Sequence, residues 1–149
     1  TVHISECAGV LQYAQTCFEG LKAYTTKDGR IVTFRPDLNA DRMASSCERL
    51  EMPVFPKERF VQAVLDTVKA NIDWVPPFGS GATLYIRPYM FGSNAVIGVK
   101  PADEYQFRIL VTPGRTEELQ RTQKYADCCA HFRLGQSRSS WNRRHKSRS

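Results

Sequence analysis

The chain has 149 residues, 42% hydrophobic and 24% charged, with a formal net charge of +6. That length suggests one domain with a tail, and the apolar fraction allows a modest core. No apolar run approaches the roughly 18 residues a membrane-spanning helix needs, and Thr1-Val2-His3-Ile4-Ser5-Glu6 lacks the pattern of a signal peptide. The charge is not spread evenly. Residues 1–113 hold twelve residues of each sign, whereas 114–149 hold nine basic against three acidic residues. Any inference from basicity therefore concerns the tail alone. The five cysteines, Cys7, Cys17, Cys47, Cys128 and Cys129, form no C-x-x-C pair and are odd in number. Neither a disulfide framework nor a zinc site is indicated. Cys7, Cys17 and Cys47 read as small apolar residues in a reducing compartment, so the expected location is the cytoplasm.

In chain order, 20–36 reads as a hairpin. Asp28-Gly29 separates an apolar run ending at Tyr24 from Ile31-Val32-Thr33-Phe34, and both turn positions tolerate positive φ. Residues 37–49 read as a helix with Pro36 and Asp37 at its start, Pro53 beyond its end, and Met43, Cys47 and Leu50 at helical spacing. Residues 57–70 read as a second helix whose stripe Phe60, Val61, Val64, Leu65 and Val68 should pack on a sheet. Pro76-Pro77-Phe78-Gly79-Ser80-Gly81 is a loop. Residues 83–91 and 105–111 read as strands, the first alternating Leu84, Ile86 and Pro88 against Tyr85, Arg87 and Tyr89. Strands and helices mix without a βαβ repeat, so the expected class is α+β. After Pro113 the apolar periodicity fades. Residues 115–132 read as a weak helix at best, and 133–149, dominated by Arg and Ser, as disordered.

Three constellations could carry chemistry. Arg42 lies near the start of the first long helix, where a guanidinium and a helix N-terminus together suit a phosphate. Tyr85 and Arg87 share one strand face and could grip a carboxylate by hydroxyl and fork. Phe18-Glu19-Gly20 offers an apolar wall and a close backbone approach. Spacing alone equally describes a solvated arginine, a wetted strand face and a core phenylalanine at a strand bend.

The segments Tyr13-Ala14-Gln15-Thr16-Cys17-Phe18-Glu19-Gly20-Leu21-Lys22-Ala23-Tyr24 and Leu84-Tyr85-Ile86-Arg87-Pro88 carry a resemblance. Over residues 2–113 the chain resembles the small, N-terminal domain of the branched-chain amino-acid aminotransferases. These are pyridoxal-phosphate enzymes of the D-amino-acid aminotransferase-like fold (fold-type IV), a two-layer arrangement of sheet and helices. The resemblance implies exchange of the amino group of leucine, isoleucine or valine with 2-oxoglutarate. It implies that Arg42 contacts the cofactor phosphate and that Phe18, Gly20, Tyr85 and Arg87 line the substrate pocket. Tyr13 and Val99, the latter in Ile97-Gly98-Val99-Lys100-Pro101, match residues that reach the site across a homodimer interface.

Two departures stand out. Ala14 occupies a position where the family usually has glycine, which would strain a backbone needing positive φ. None of Lys22, Lys27, Lys57, Lys69, Lys100, Lys124 and Lys146 lies in the context of the lysine that binds the cofactor covalently. The resemblance places that lysine in a second domain outside residues 2–113, so no catalytic residue is expected here. Its abrupt end at Val111-Thr112-Pro113 is what a frame change in the coding sequence would produce. Alternatives within the fold are a D-amino-acid aminotransferase or an aminodeoxychorismate lyase. From another class, the Arg/Ser tail could bind nucleic acid through phosphate contacts, although Trp141 is its sole aromatic beyond residue 133.

Overall fold

The computed structural model describes residues 2–115 and, as backbone only, 126–135. A short helix α1 (Gly9–Gln12) precedes β1 (Thr16–Phe18) and β2 (Leu21–Thr25). Then follow β3 (Ile31–Thr33), α2 (Pro36–Arg49), α3 (Lys57–Ala70), β4 (Thr83–Gly92), β5 (Glu104–Gly114) and β6 (Ala126–Gly135). The strands make one antiparallel sheet in the order β3-β2-β4-β5-β6, with β1 also paired to β4. The result is an α+β domain.

β1 and β2 line the same edge of β4. Phe18 pairs with Tyr89 and Leu21 with Ile86, so Glu19 and Gly20 form a bend opposite Arg87 and Pro88. That bend explains how a proline fits a central strand. A residue's N–H and C=O point to the same side of an antiparallel strand. The Pro88 carbonyl accepts the Glu19 N–H at 2.8 Å, so its missing donor faces a point where the ladder is already interrupted.

Alternation sorts the two faces. Leu21, Ala23, Leu84, Ile86, Met90, Tyr105, Phe107, Ile109 and Val111 are buried beneath α2 and α3. Ala40, Met43 and Cys47 of α2 and Phe60, Ala63, Val64 and Val68 of α3 complete the core. Phe107 stacks on Phe55 with centroids 3.9 Å apart. The α3 stripe is rotated from the expected one. Ala63 and Thr67 are buried, while Leu65 is exposed and Val61 only half-buried. Small residues let the helix lie close to the sheet, which turns the bulkier neighbours outward. Just beyond α2, Leu50 is likewise exposed, because the helix has ended at Arg49 and the chain turns there.

Among the described residues three other than glycine have positive φ: Ala14, Arg35 and Glu51. Ala14, at φ 51°, lies in the left-handed region, where its Cβ is strained as the sequence reading expected. Glu51 occupies the left-handed position after α2. Met52 N–H bonds the Cys47 carbonyl at 2.8 Å and Glu51 N–H the Glu48 carbonyl at 3.2 Å, a Schellman termination. The hairpin turn is longer than two residues. Gly29 N–H bonds the Thr26 carbonyl at 3.0 Å, and Gly29, but not Asp28, adopts positive φ.

β6 is a correction. Residues 126–135 form a strand, not the weak helix and disorder expected there. Its backbone pairs with β5 from Glu104↔Gly135 to Val111↔Ala126. An unpaired β5 edge offers a row of N–H and C=O groups, and pairing with it overrides weak local preference. The rest of the expected disordered tail, 136–149, lies outside the described residues. Among the described residues no helix is long and apolar enough to cross a membrane.

Candidate functional site

The sheet face opposite the helices carries Phe18, Lys22, Tyr85, Arg87 and Tyr89, since these alternate with core positions in registered strands. Arg87 and Tyr85 are two residues apart, and Arg87 Nε donates to Tyr85 Oη at 3.1 Å. The guanidinium also lies 4.7 Å from the centre of the Phe18 ring and 5.3 Å from that of Tyr85. Two aromatic faces thus hold the cation. Its Nη1 and Nη2 make no hydrogen bond among the described residues. Phe18 is 60% exposed, so it is no core residue but an apolar surface beside a cation.

Gly20 completes this cluster from the backbone side. A Cβ built there would stand 2.8 Å from Tyr85 Oη. A side chain there would push the phenol aside, so glycine suits this close approach. Lys22 stands opposite Tyr85 in the β2–β4 register and shares its face.

Arg42 belongs to the same bend but approaches from α2. Its Nε donates to Glu19 Oε1 at 2.8 Å, and its Nη2 pairs with Oε2. Glu19 is only 5% exposed, whereas the Arg42 side chain is 65% exposed. Asn39 Nδ2 donates to the same carboxylate at 2.8 Å and to the Gly20 carbonyl at 3.3 Å. Glu19 is therefore the buried hinge between two groups. Its backbone is fixed to Pro88, its carboxylate to α2, and its neighbours Phe18 and Gly20 meet Arg87 and Tyr85. The carboxylate raises the Arg42 pKa further above its usual value, so the guanidinium stays charged. Sequence reasoning placed Arg42 by a helix end, but it is the seventh residue of α2, and Glu19 rather than the first turn positions it. Glu19 and Asn39 were missed as site residues. A glutamate between a phenylalanine and a glycine in an apolar run was the available signal, since a buried carboxylate needs a partner.

Tyr13 and Val99 are not joined to the cluster by any hydrogen bond or ring contact among the described residues. Tyr13 is exposed, and Val99 is 93% exposed on the loop after β4. Gln15 ties their two segments together. Its Nε2 donates to Tyr105 Oη at 3.0 Å, its Oε1 accepts from Ala102 N–H at 3.1 Å, and its carbonyl accepts from Gly92 N–H at 3.0 Å.

Pyridoxal phosphate, the cofactor implied by the resemblance, needs a fixed cation for its phosphate and a close backbone approach. Arg42, held on one side by Glu19 and open on the other, fits the first need. At Gly20 the close approach is made by the Tyr85 phenol, so the cofactor test rests on Arg42. Among the described residues no group of three or more His, Cys, Asp or Glu side chains could hold a metal ion.

No family profile matches the chain. Individual relatives do. The chain is 53% identical over 113 residues to the branched-chain-amino-acid aminotransferase of Haemophilus influenzae, a match over 76% of this chain and 33% of that protein. It is 55% identical over 112 residues to branched-chain-amino-acid aminotransferase 6 of Arabidopsis thaliana, over 75% of this chain and 31% of that one. The chain thus spans about a third of the length of the curated relatives it matches. Among solved structures it is similar to the branched-chain amino acid aminotransferase of Escherichia coli, with TM-score 0.58 and 24% identity over 77% of this chain and 36% of that one. It is also similar to the branched-chain aminotransferase of Thermoproteus uzoniensis, with TM-score 0.59 and 23% identity over 76% of this chain and 36% of that one. The structural matches establish a shared fold. The identity of about half over roughly 113 residues goes further: this part of the chain is similar in sequence to one segment of the branched-chain-amino-acid aminotransferases.

Proposed function

We propose that residues 2–113 form one wall of the active site of a pyridoxal-phosphate-dependent branched-chain amino-acid aminotransferase. The observation that carries this reading is the Phe18–Gly20–Tyr85–Arg87 cluster, joined through Glu19 to Arg42. The substrates are leucine, isoleucine or valine with 2-oxoglutarate. Arg87, stacked between Phe18 and Tyr85, keeps Nη1 and Nη2 for a substrate carboxylate, and Tyr85 Oη offers a further polar contact. Phe18 gives a branched apolar side chain a surface from which water is displaced. Gly20 lets the Tyr85 phenol pack against the bend, and Arg42 balances phosphate charge while Glu19 holds it in place. In a homodimer, Tyr13 and Val99 serve the partner's pocket from exposed loops.

Bound pyridoxal phosphate supplies the electron sink that lets an amino acid lose its Cα proton. None of the residues assigned here moves that proton, and residues 2–113 have a binding and orienting part. By this reading the 149-residue chain does not transaminate unaided.

The test is a chimera in which residues 2–113 replace the matching segment of the Haemophilus influenzae relative. Leucine-dependent glutamate formation is expected. Arg87→Ala in the chimera should lower kcat/KM roughly 10- to 100-fold, the value of a charge-assisted contact worth about 1.5–3 kcal/mol. A folded chimera that retains cofactor but turns over D-alanine and none of the three branched amino acids would favour the D-amino-acid alternative and overturn this assignment.

A further inference from the structure

Behind the bend, on the core side of the sheet, lies a pair of groups that the aminotransferase reading does not use. Cys17 is the middle residue of β1, opposite Met90 of β4. Cys47 is in the last turn of α2. Their sulfurs are 3.4 Å apart, inside the sum of two sulfur radii, and both residues are buried, Cys17 at 8% exposed and Cys47 at 0%. Both carriers are fixed. β1 is hydrogen-bonded to β4, where Thr16 Oγ1 also donates to the Met90 carbonyl at 2.9 Å. The end of α2 is held by the bonds from Leu50 and Met52 to the Cys47 carbonyl.

We propose that Cys17 and Cys47 are a dithiol that hydrogen peroxide closes to a disulfide, covalently linking β1 to α2. The two side chains already meet, so closure requires the sulfurs to approach by little more than an ångström, within the reach of χ1 adjustments. The two sulfurs share one hydrogen bond, in which either can donate. With Cys47 as the donor, the contact lowers the Cys17 pKa against the opposing effects of burial and the Glu19 charge, and raises that of Cys47. In that arrangement Cys17 is the nucleophile and Cys47 the resolving thiol. In the first step the Cys17 thiolate attacks one peroxide oxygen, the O–O bond breaks, and hydroxide leaves, giving a sulfenic acid. In the second, Cys47 sulfur attacks Cys17 sulfur, the S–O bond breaks, and water leaves with the Cys47 proton. In total, two thiols and one hydrogen peroxide give one disulfide and two waters. Burial favours this small oxidant over bulky disulfides, which cannot reach either sulfur without local opening.

The ring so closed spans residues 17–47 and contains Phe18, Glu19, Gly20, Asn39 and Arg42. Oxidation therefore fastens α2 to the strand that leads into the bend. The inference stands independently of the proposed enzymatic activity.

The test uses the full 149-residue chain carrying Cys7→Ser, Cys128→Ser and Cys129→Ser, so that Cys17 and Cys47 are the only thiols. The chain is treated with a small excess of hydrogen peroxide, then denatured and alkylated with N-ethylmaleimide. Adducts should fall from two to none, with a cross-linked peptide pair lacking two hydrogens, and dithiothreitol should restore both adducts. The unmodified chain should yield the same Cys17–Cys47 pair. Cys17→Ser should abolish it and leave Cys47 fully alkylated. Persistence of both adducts, accumulation of sulfinic acid at Cys17, or cross-links joining either residue to Cys7, Cys128 or Cys129 in the unmodified chain would each overturn the proposal.

Discussion

Arg42→Ala should destabilise the domain far more than loss of an exposed arginine ordinarily does. The guanidinium is mostly exposed, but its partner is not: the Glu19 carboxylate is buried and accepts from Arg42 Nε, Arg42 Nη2 and Asn39 Nδ2. Exposed ion pairs contribute about 0–1 kcal/mol. Stranding a buried charge costs about 3–5 kcal/mol. Truncating Arg42 opens a path for water to Glu19 and leaves Asn39 in place, so we place the loss between these limits, at about 2 kcal/mol. With an m-value of about 1–1.5 kcal/mol/M, the urea midpoint should fall by roughly 1.5 M. Glu19→Leu should cost only about 1 kcal/mol, because it leaves a solvated arginine and no buried charge. The double variant Glu19→Leu/Arg42→Ala should therefore be more stable than Arg42→Ala alone. Circular dichroism in urea, with all four chains at one protein concentration, reads these values. A loss below about 0.5 kcal/mol for Arg42→Ala, or simple addition in the double variant, would refute the view that Glu19 depends on Arg42.

Three further outcomes follow from other parts of the molecule. Val64→Asp should unfold the domain, since Val64 is fully buried between α3 and the sheet and an unpaired core carboxylate costs several kcal/mol, a large part of about 5–15 in total; melting within a degree or two of the parent would show that face to be open. Ala14→Gly should raise stability by about 0.5–1 kcal/mol, relieving a Cβ at φ 51°, and a lowered urea midpoint would contradict that account. Asp37 should titrate at about 2, because the Arg35 fork donates to it at 2.9 and 2.7 Å. Its folded pKa is depressed, so its small contribution is fully present above the unfolded value of about 3.9 and is lost as pH falls toward 2; NMR should follow the carboxyl shift and find it near the ordinary value in Arg35→Ala.

Much of this protein could be read from local patterns. Period-two alternation in 83–91 located a central strand and its buried face, because a strand's side chains have only two directions, and the apolar run 105–111 located its neighbour. Proline and aspartate signals bounded α2 to within a residue, since a helix start needs the φ and partners those residues supply. The same alternation put Tyr85 and Arg87 on one face, and the departure from glycine at Ala14 marked a strained backbone that the fold indeed contains. The segments around Phe18 and Tyr85 named the family that the relatives bear out.

What local patterns could not supply were pairings between distant segments. Glu19 reads as one acidic residue among fifteen. Only the bend between β1 and β2, set by where each strand pairs with β4, buries it and turns it toward Asn39 and Arg42. Cys17 and Cys47 are 30 residues apart and meet because α2 crosses the sheet at β1. β6 exists where sequence suggested weak helix, because β5 offers an edge whose hydrogen bonds outweigh the propensity of a short segment. Periodicity and capping are properties of neighbours along the chain. Burial of a charge, contact of two thiols and pairing at a sheet edge depend on the surroundings that the tertiary fold assembles.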